Sequence, residues 1–358
     1  EELPEVAPGA NTYPDFEFLV AQTVLAVDHL QGTAHLEGWD IDDKRLQEEL
    51  DSLASLPVAA RPTAPQREKI RAVADVNDAG FRADVDKLKG NIHAGDIYQV
   101  VPARAFTVEC PNALAAYRAL RETNPSPYMF YVRGAAYELF GASPESNLKF
   151  TPEDGQIQLY PIAGTRPRGL NPDGSINHEL DIRNELEMRT NQKEIAEHTM
   201  LVDLARNDLA RVAVPRSRQV AELLHVDRYS RVMHLVSRVT ATLHPDFDAL
   251  DAYRACMNMG TLTGAPKLRA TELVRCTEGK RRGSYGGAVG YLRGDGAMDN
   301  CIVIRSAYVQ DGTAVVQAGA GVVKDSVPQA EADETVHKAY AVLHAIAMAH
   351  GAELEVQR

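Results

Sequence analysis

The stretch K-E-I-A-E-H, residues 193–198, sets two carboxylates, Glu194 and Glu197, three residues apart, and P-Q-A-E-A-D-E-T repeats the spacing with Glu331 and Glu334. On a helix that separation puts both side chains of a pair on one face. Ionised carboxylates turned inward are costly without a cation or a basic partner. Oxygen-only donors suit Mg²⁺ better than zinc or copper. The first pair shares a stripe with Leu201 and Leu204, which aims it at packed structure. The second lies off the stripe Val336, Tyr340, Leu343, Ala347, so amphipathicity alone reads Glu331 and Glu334 as exposed. A solvated pair at a helix edge is the commoner outcome for an arbitrary E-x-x-E.

Other residues offer different chemistry. In A-G-A-G-V, 318–322, bare backbone between a strand and a helix lets N–H groups approach an anion closely, although a tight turn explains the same glycines. The segment matches neither G-x-x-x-x-G-K-[ST] nor G-x-G-x-x-G, which argues against nucleotide binding. Arg305 alternates with Cys301 and Val303 in C-I-V-I-R-S-A, a face on which a guanidinium needs an anion, from a structural carboxylate or from a substrate. His234 alternates with Val232 and Val236, as a hydrogen-bonded core histidine or a catalytic one would. Glu145 follows a strand in G-A-S-P-E-S and could act as a general acid if desolvation raised its pKa. Neither G-x-S-x-G nor H-E-x-x-H occurs.

These residues must be held by a framework that the rest of the chain describes. Of 358 residues 44% are hydrophobic and 25% charged, ordinary for a large globular core, and the formal net charge of -12 leaves no basic footprint for nucleic acid or an anionic membrane. A small anionic substrate therefore needs local positive charge or a metal. Cysteines 110, 256, 276 and 301 form no C-x-x-C pair, and a reduced, cytoplasmic setting is expected. The chain opens on Glu1 rather than Met, as a piece of a longer polypeptide would.

Residues 1–14 read as linker, 16–27 as a stretch that could start as helix and end as strand, and 59–66 as a loop. Helices are predicted over 83–95, 111–123, roughly 179–209 and from Pro328 to about His350. Strands are predicted at 97–102, 127–133, 136–140, 157–164 and 231–243, with a terminal meander of Y-G-G-A-V-G-Y-L, N-C-I-V-I-R-S-A-Y and T-A-V-V-Q-A-G-A-G. The expected class is α+β, with antiparallel sheets.

The motifs I-Y-Q-V-V-P-A-R, S-P-E-S, P-I-A-G-T-R-P-R-G, E-I-A-E-H-T-M-L-V-D-L-A-R-N-D, G-T-L-T-G-A-P-K, R-R-G-S-Y-G-G-A-V-G-Y and Q-A-G-A-G-V-V-x-D-S-x-P-x-x-E-x-x-E run in order from about 90 to 340. Together they closely resemble those of the anthranilate synthase large subunits, in the chorismate-utilising enzyme family. The resemblance implies β-sheets packed as a sandwich with outer helices, a remnant N-terminal region and linker over 1–70, and a catalytic domain over 71–358. It implies Mg²⁺ on the chorismate carboxylate, with Glu197 and Glu334 as direct ligands and Glu194 and Glu331 holding coordinated waters. Tyr285, Arg305 and the Gly319-Ala320-Gly321 backbone are implied to clamp the other carboxylate, with Gly164 and Thr165 lining the ring. Glu145 is the implied acid at the C4 hydroxyl while ammonia adds at C2; His234 assists pyruvate loss, with Thr261 beside it.

Two positions separate sister chemistries by the same resemblance. Water-adding relatives carry a lysine base where this chain has Gln99, and glutamine cannot deprotonate water. Aminodeoxychorismate synthases typically have a nucleophilic lysine where this chain has Ala163. The implied reaction is chorismate plus ammonia to anthranilate and pyruvate, opening tryptophan biosynthesis, with ammonia from the glutamine amidotransferase of a partner subunit. The alternatives are an aminodeoxychorismate synthase and a non-catalytic regulatory subunit binding tryptophan or Mg²⁺. Asn124, Pro127, Tyr128, Met129 and Phe130, with Tyr137, Gly141 and Cys301, resemble a tryptophan feedback site, whose other half, an L-L-E-S segment, is expected in an N-terminal region outside this chain.

Overall fold

A computed structural model describes residues 3–39, 41–55, 69–229 and 232–358, and the loop expected at 59–66 lies outside them. Beside the boundary expected at 70, the chain divides into one unit of 1–13 with 64–358 and a second of 14–63. In that second unit, strands Thr23–Asp28 and Thr33–Gly38 form an antiparallel hairpin, followed by helix Asp43–Ala54. The segment left open between helix and strand ends in the first of these strands, and its opening residues 16–22 form neither.

Among the described residues the large unit holds two seven-stranded sheets. The first runs Ile162–Pro167, Val232–Thr242, Gln156–Leu159, Ser146–Thr151, Met298–Ile302, Ala288–Leu292, and Gln219–Arg228 also pairs with Val232–Thr242. The second runs Glu353–Gln357, Lys69–Ala74, Ala103–Glu109, Thr313–Gly319, Ser306–Gln310, Glu138–Ser143, Tyr128–Arg133. Every pairing is antiparallel except that of Glu353–Gln357 with Lys69–Ala74. The expected α+β class with antiparallel sheets and helices is what the chain forms.

Helix packing follows from side-chain period. Ala339, Val342, Leu343 and Ile346 of helix Pro328–Ala349, with Ala116 and Leu120 of Ala113–Thr123, cover Phe106, Phe140 and Val316 of the second sheet. Val202 and Leu209 of helix Gln192–Ala210 and Ala252 of Ala249–Cys256 cover Leu148, Ile157 and Val239 of the first. The fully buried Val, Leu, Ile and Phe side chains among them contribute about 1.5–3 kcal/mol each relative to exposure.

Two expected elements are broken, and both breaks serve the site. The helix expected over 179–209 is two, His178–Thr190 and Gln192–Ala210, because Asn191 turns out of helical conformation at ψ 108. Its side chain accepts from the Glu194 N–H at 3.1 Å and its carbonyl from Ile195 at 3.0 Å, the geometry of an N-cap. The segment N-C-I-V-I-R-S-A-Y likewise is not one strand: Met298–Ile302 ends in the first sheet and Ser306–Gln310 begins in the second. Arg305, at φ 49, makes the corner.

Candidate functional site

The chain crosses between the sheets a second time at Pro144-Glu145, from Glu138–Ser143 to Ser146–Thr151. The two crossovers are tied by backbone hydrogen bonds, Ile302 N–H to Glu145 O and Ala142 N–H to Arg305 O, both 3.0 Å. The sheet order therefore delivers a carboxyl and a guanidinium to one place.

Glu145 is buried, and its Oε1 has no hydrogen-bond partner among the described residues. Desolvation pushes its carboxyl up to about 8, while the neighbouring Thr261 hydroxyl and the Lys338 and Arg305 charges pull the other way. Thr261 Oγ1 stands beside the carboxyl without closing a hydrogen bond of ordinary geometry. The result is an acid that keeps its proton at neutral pH.

Arg305 does not sit on a strand face with Cys301 and Val303, as alternation suggested; the corner redirects it. Desolvation lowers its pKa, opposed by Tyr285, Glu334 and Glu145. Among the described residues no salt bridge or side-chain hydrogen bond engages the guanidinium, so a half-buried cation is left open to an anion.

His234 faces the same point. Burial and then the Arg305 charge bring its pKa down to about 4, so the imidazole is neutral and can accept a proton. Its Nδ1 lies 2.9 Å from Thr165 Oγ1, directly across the ladder. A bulge between Ile162 and Thr165 aims this stretch, with Gly164 at φ 95. A Cβ on Gly164 would come within 3.1 Å of Glu194 Oε2 and 3.3 Å of Leu235. His198, from the same helix as Glu194, anchors the bulge: Leu224 N–H donates to Ser237 Oγ, Ser237 to His198 Nε2, and His198 Nδ1 to Ala163 O, a tautomer assigned from this accounting.

The glycine segment closes the other side. Gly319 N–H reaches the Tyr285 hydroxyl, but Ala320 N–H donates to Pro102 O at 3.1 Å and is taken, so Gly321 rather than Ala320 carries the amide without a backbone acceptor among the described residues. Gln99 Nε2 lies where a Gly321 Cβ would approach within 2.8 Å, and its buried Oε1 has no partner there.

The four glutamates divide. Glu194 Oε1 pairs with Arg166 at 2.7 Å while its buried Oε2 has no hydrogen-bond partner among the described residues, and Glu197 is half-buried. Glu331 is buried and Glu334 half-buried, against the exposure that the stripe suggested. The inward face of their helix runs through Ala332, Thr335, Ala339 and Val342, and Tyr340 is outside it. Among the described residues no three His, Cys, Asp or Glu side chains converge as a preformed metal cluster. Lys338, passed over in the sequence, pairs with Glu334 at 2.5 Å and donates to Gly319 O at 3.0 Å. Its place four residues after Glu334 was the available signal.

The residues of the expected tryptophan site also adjoin. Tyr128, Met129 and Phe130 pair with Ser143, Ala142 and Gly141, Tyr128 donates to Asp299 at 3.0 Å, and Cys301 neighbours Ser143. Tyr137 packs with Tyr13 and Tyr308, Asn124 ends the helix Ala113–Thr123, and Pro127 directly precedes Tyr128.

The model of the chorismate binding enzymes matches residues 1–344. The chain belongs to the chorismate binding enzyme family. It is 54% identical over 360 residues to anthranilate synthase component 1 of Escherichia coli, covering 99% of this chain and 69% of that protein. It is 56% identical over 352 residues to the component 1 of Vibrio parahaemolyticus, covering 96% and 65%. Among solved family members, anthranilate synthase component I of Streptococcus pneumoniae superposes with TM-score 0.84 at 32% identity, over 95% of this chain and 76% of that one. A putative isochorismate synthase of Bacillus anthracis superposes at 0.68 with 25% identity, over 81% and 76%.

Proposed function

We propose that this chain converts chorismate and ammonia to anthranilate, pyruvate and water, the opening reaction of tryptophan biosynthesis, working in the cytoplasm with a partner amidotransferase that releases ammonia from glutamine. The observation that carries the reading is the pair of adjoining crossovers, which sets the protonated Glu145 carboxyl beside the unpaired Arg305 guanidinium. The names of the relatives, at over 50% identity, agree with it.

Arg305, the Tyr285 hydroxyl and the Gly321 amide hold one carboxylate of the substrate, replacing water in a buried site. Glu145 gives its proton to the departing C4 hydroxyl as ammonia bonds to C2, with Thr261 at its side. Neutral His234, oriented by Thr165, takes up the C2 proton as the enolpyruvyl C–O bond breaks and the ring becomes aromatic. Gly164 leaves room for the ring. Gln99 and Ala163, where the sister enzymes have lysines, leave ammonia as the nucleophile.

Mg²⁺ fits the donor set: carboxylates on two helices, with the buried Glu194 Oε2 lacking a hydrogen-bond partner among the described residues. Glu197 and Glu334 would ligate it, with Glu194 and Glu331 holding its waters. When bound, it neutralises the second substrate carboxylate. Tryptophan binding at Tyr128–Phe130, Tyr137, Gly141 and Cys301 would supply feedback. Product analysis with chorismate, Mg²⁺ and ammonium tests the reading: anthranilate supports it, while aminodeoxychorismate or isochorismate as main product overturns it.

A further inference from the structure

The segments that meet at the site are held together by very little regular structure. Gln99–Val100 and Gly264–Ala265 form a ladder of two residues, and the helix carrying Thr261 is the single turn Gly260–Thr263. Such short elements do not fix their own geometry. A buried ion pair does the joining. Glu278 ends helix Lys267–Glu278, Gly279 turns left-handed at φ 63, and Arg282 comes back onto it. Arg282 Nε donates to Glu278 Oε2 at 2.9 Å and Nη2 to Oε1 at 2.5 Å, with the side chains 16% and 6% exposed.

What the pair does with its remaining valence is specific. Arg282 Nη1 donates to Leu262 O at 2.6 Å, the residue after Thr261, and Nη2 to Val101 O at 2.7 Å, two after Gln99. Glu278 Oε1 accepts from Ala103 N–H at 2.8 Å, directly across the ladder from Gly319. The guanidinium lies 5.4 Å from the centroid of the Tyr285 ring, whose hydroxyl meets Gly319. The Leu262 turn, the stretch through Val101 and the Tyr285 ring thus meet on one planar fork, which lysine cannot reproduce, and Ala103 ends on the carboxylate paired with it.

We infer that Glu278 and Arg282 are positioning residues: through Leu262, Val101, Ala103 and the Tyr285 ring they hold the carboxylate clamp and the Thr261 turn in register for chorismate. The inference rests on the reading above only in taking chorismate as substrate. It predicts a split in kinetics, because the clamp meets chorismate and not ammonia. Arg282→Lys, which keeps the charge but loses the fork, and Glu278→Gln, nearly isosteric, should each raise KM for chorismate about tenfold while KM for ammonium stays put. The double variant should lose less than the product of the singles, the signature of coupled residues. Melting curves establish that the variants are folded.

An unchanged chorismate KM in folded variants would sink the inference, as would a loss that follows only the fraction of folded protein. Unfolding of both variants would assign the pair to stability and overturn it equally. The functional reading fails separately: a parent chain that turned chorismate into another product would refute that reading, yet the KM comparison would stand.

Discussion

Glu145 and His234 are displaced from their ordinary pKa values in opposite directions, yet burial drives both. Burial favours the neutral form of each, which raises a carboxyl and lowers an imidazole. One is an acid holding its proton at neutral pH and the other a base without one, as acid–base chemistry at one substrate requires. At fixed free ammonia, activity limited by the first step should decline as pH rises through about 8, where Glu145 ionises. Glu145→Gln should lower turnover by about 10²–10⁴-fold and abolish that limb. Stability runs the same way: the folded state binds this proton more tightly than the unfolded chain, whose carboxyl has its ordinary 4.5. The group's contribution is therefore full below that value and lost as pH climbs to about 8, and urea melts of Glu145→Gln should lack this component. His234→Ala should leave amination and slow pyruvate loss, so that aminodeoxyisochorismate accumulates in a chromatographic assay. Equal loss of both steps would make the histidine structural. Sequence alone marked both residues as ambiguous, because burial on both sides is a tertiary property.

Among the elements, the legible ones were those whose pattern is local. The terminal helix, the strand through His234 and the hairpin turns were all readable from period and turn chemistry. What pattern missed lies at breaks. The strand containing Arg305 was read as continuous because C-I-V-I is uniformly apolar, and a switch between sheets leaves no periodic trace. Asn191 did carry a local signal, a capping residue three before Glu194, inside a run otherwise good for helix. Glu331 was misjudged for a different reason: it is buried, while Glu334 stays 43% exposed at the side chain, and amphipathic reasoning assumes inward faces are apolar. In the proposed reading these glutamates would tie the two helices to Mg²⁺. Glu197→Gln and Glu334→Gln should fold, yet lose the thermal stabilisation that Mg²⁺ with chorismate gives the parent chain, together with Mg²⁺-dependent turnover. That stabilisation is about 2.7 kcal/mol at one hundred times Kd. A variant melting like the parent under saturating Mg²⁺ would remove that residue from the ligand set.

For the molecule as a whole, the question is where nitrogen enters. The family model takes up residues 1–344 of this chain, and relatives more than 50% identical to it are called component 1, a name that implies another component. Gln99 and Ala163 leave no side-chain nucleophile at the positions where the sister enzymes carry lysine, so ammonia itself must reach C2. The net charge of -12 neither attracts nor excludes a neutral molecule, whereas ammonium is the wrong species to attack. With the 358-residue chain purified alone, anthranilate fluorescence should rise with chorismate, Mg²⁺ and an ammonium salt, and rise faster at alkaline pH until Glu145 ionises. The two effects oppose each other, so the profile should be a bell whose alkaline side disappears in Glu145→Gln. Glutamine should replace ammonium only after an amidotransferase subunit is added. Glutamine-driven anthranilate from the chain alone would refute the need for a partner. Failure of ammonium to support turnover in a folded chain would place the nucleophile elsewhere.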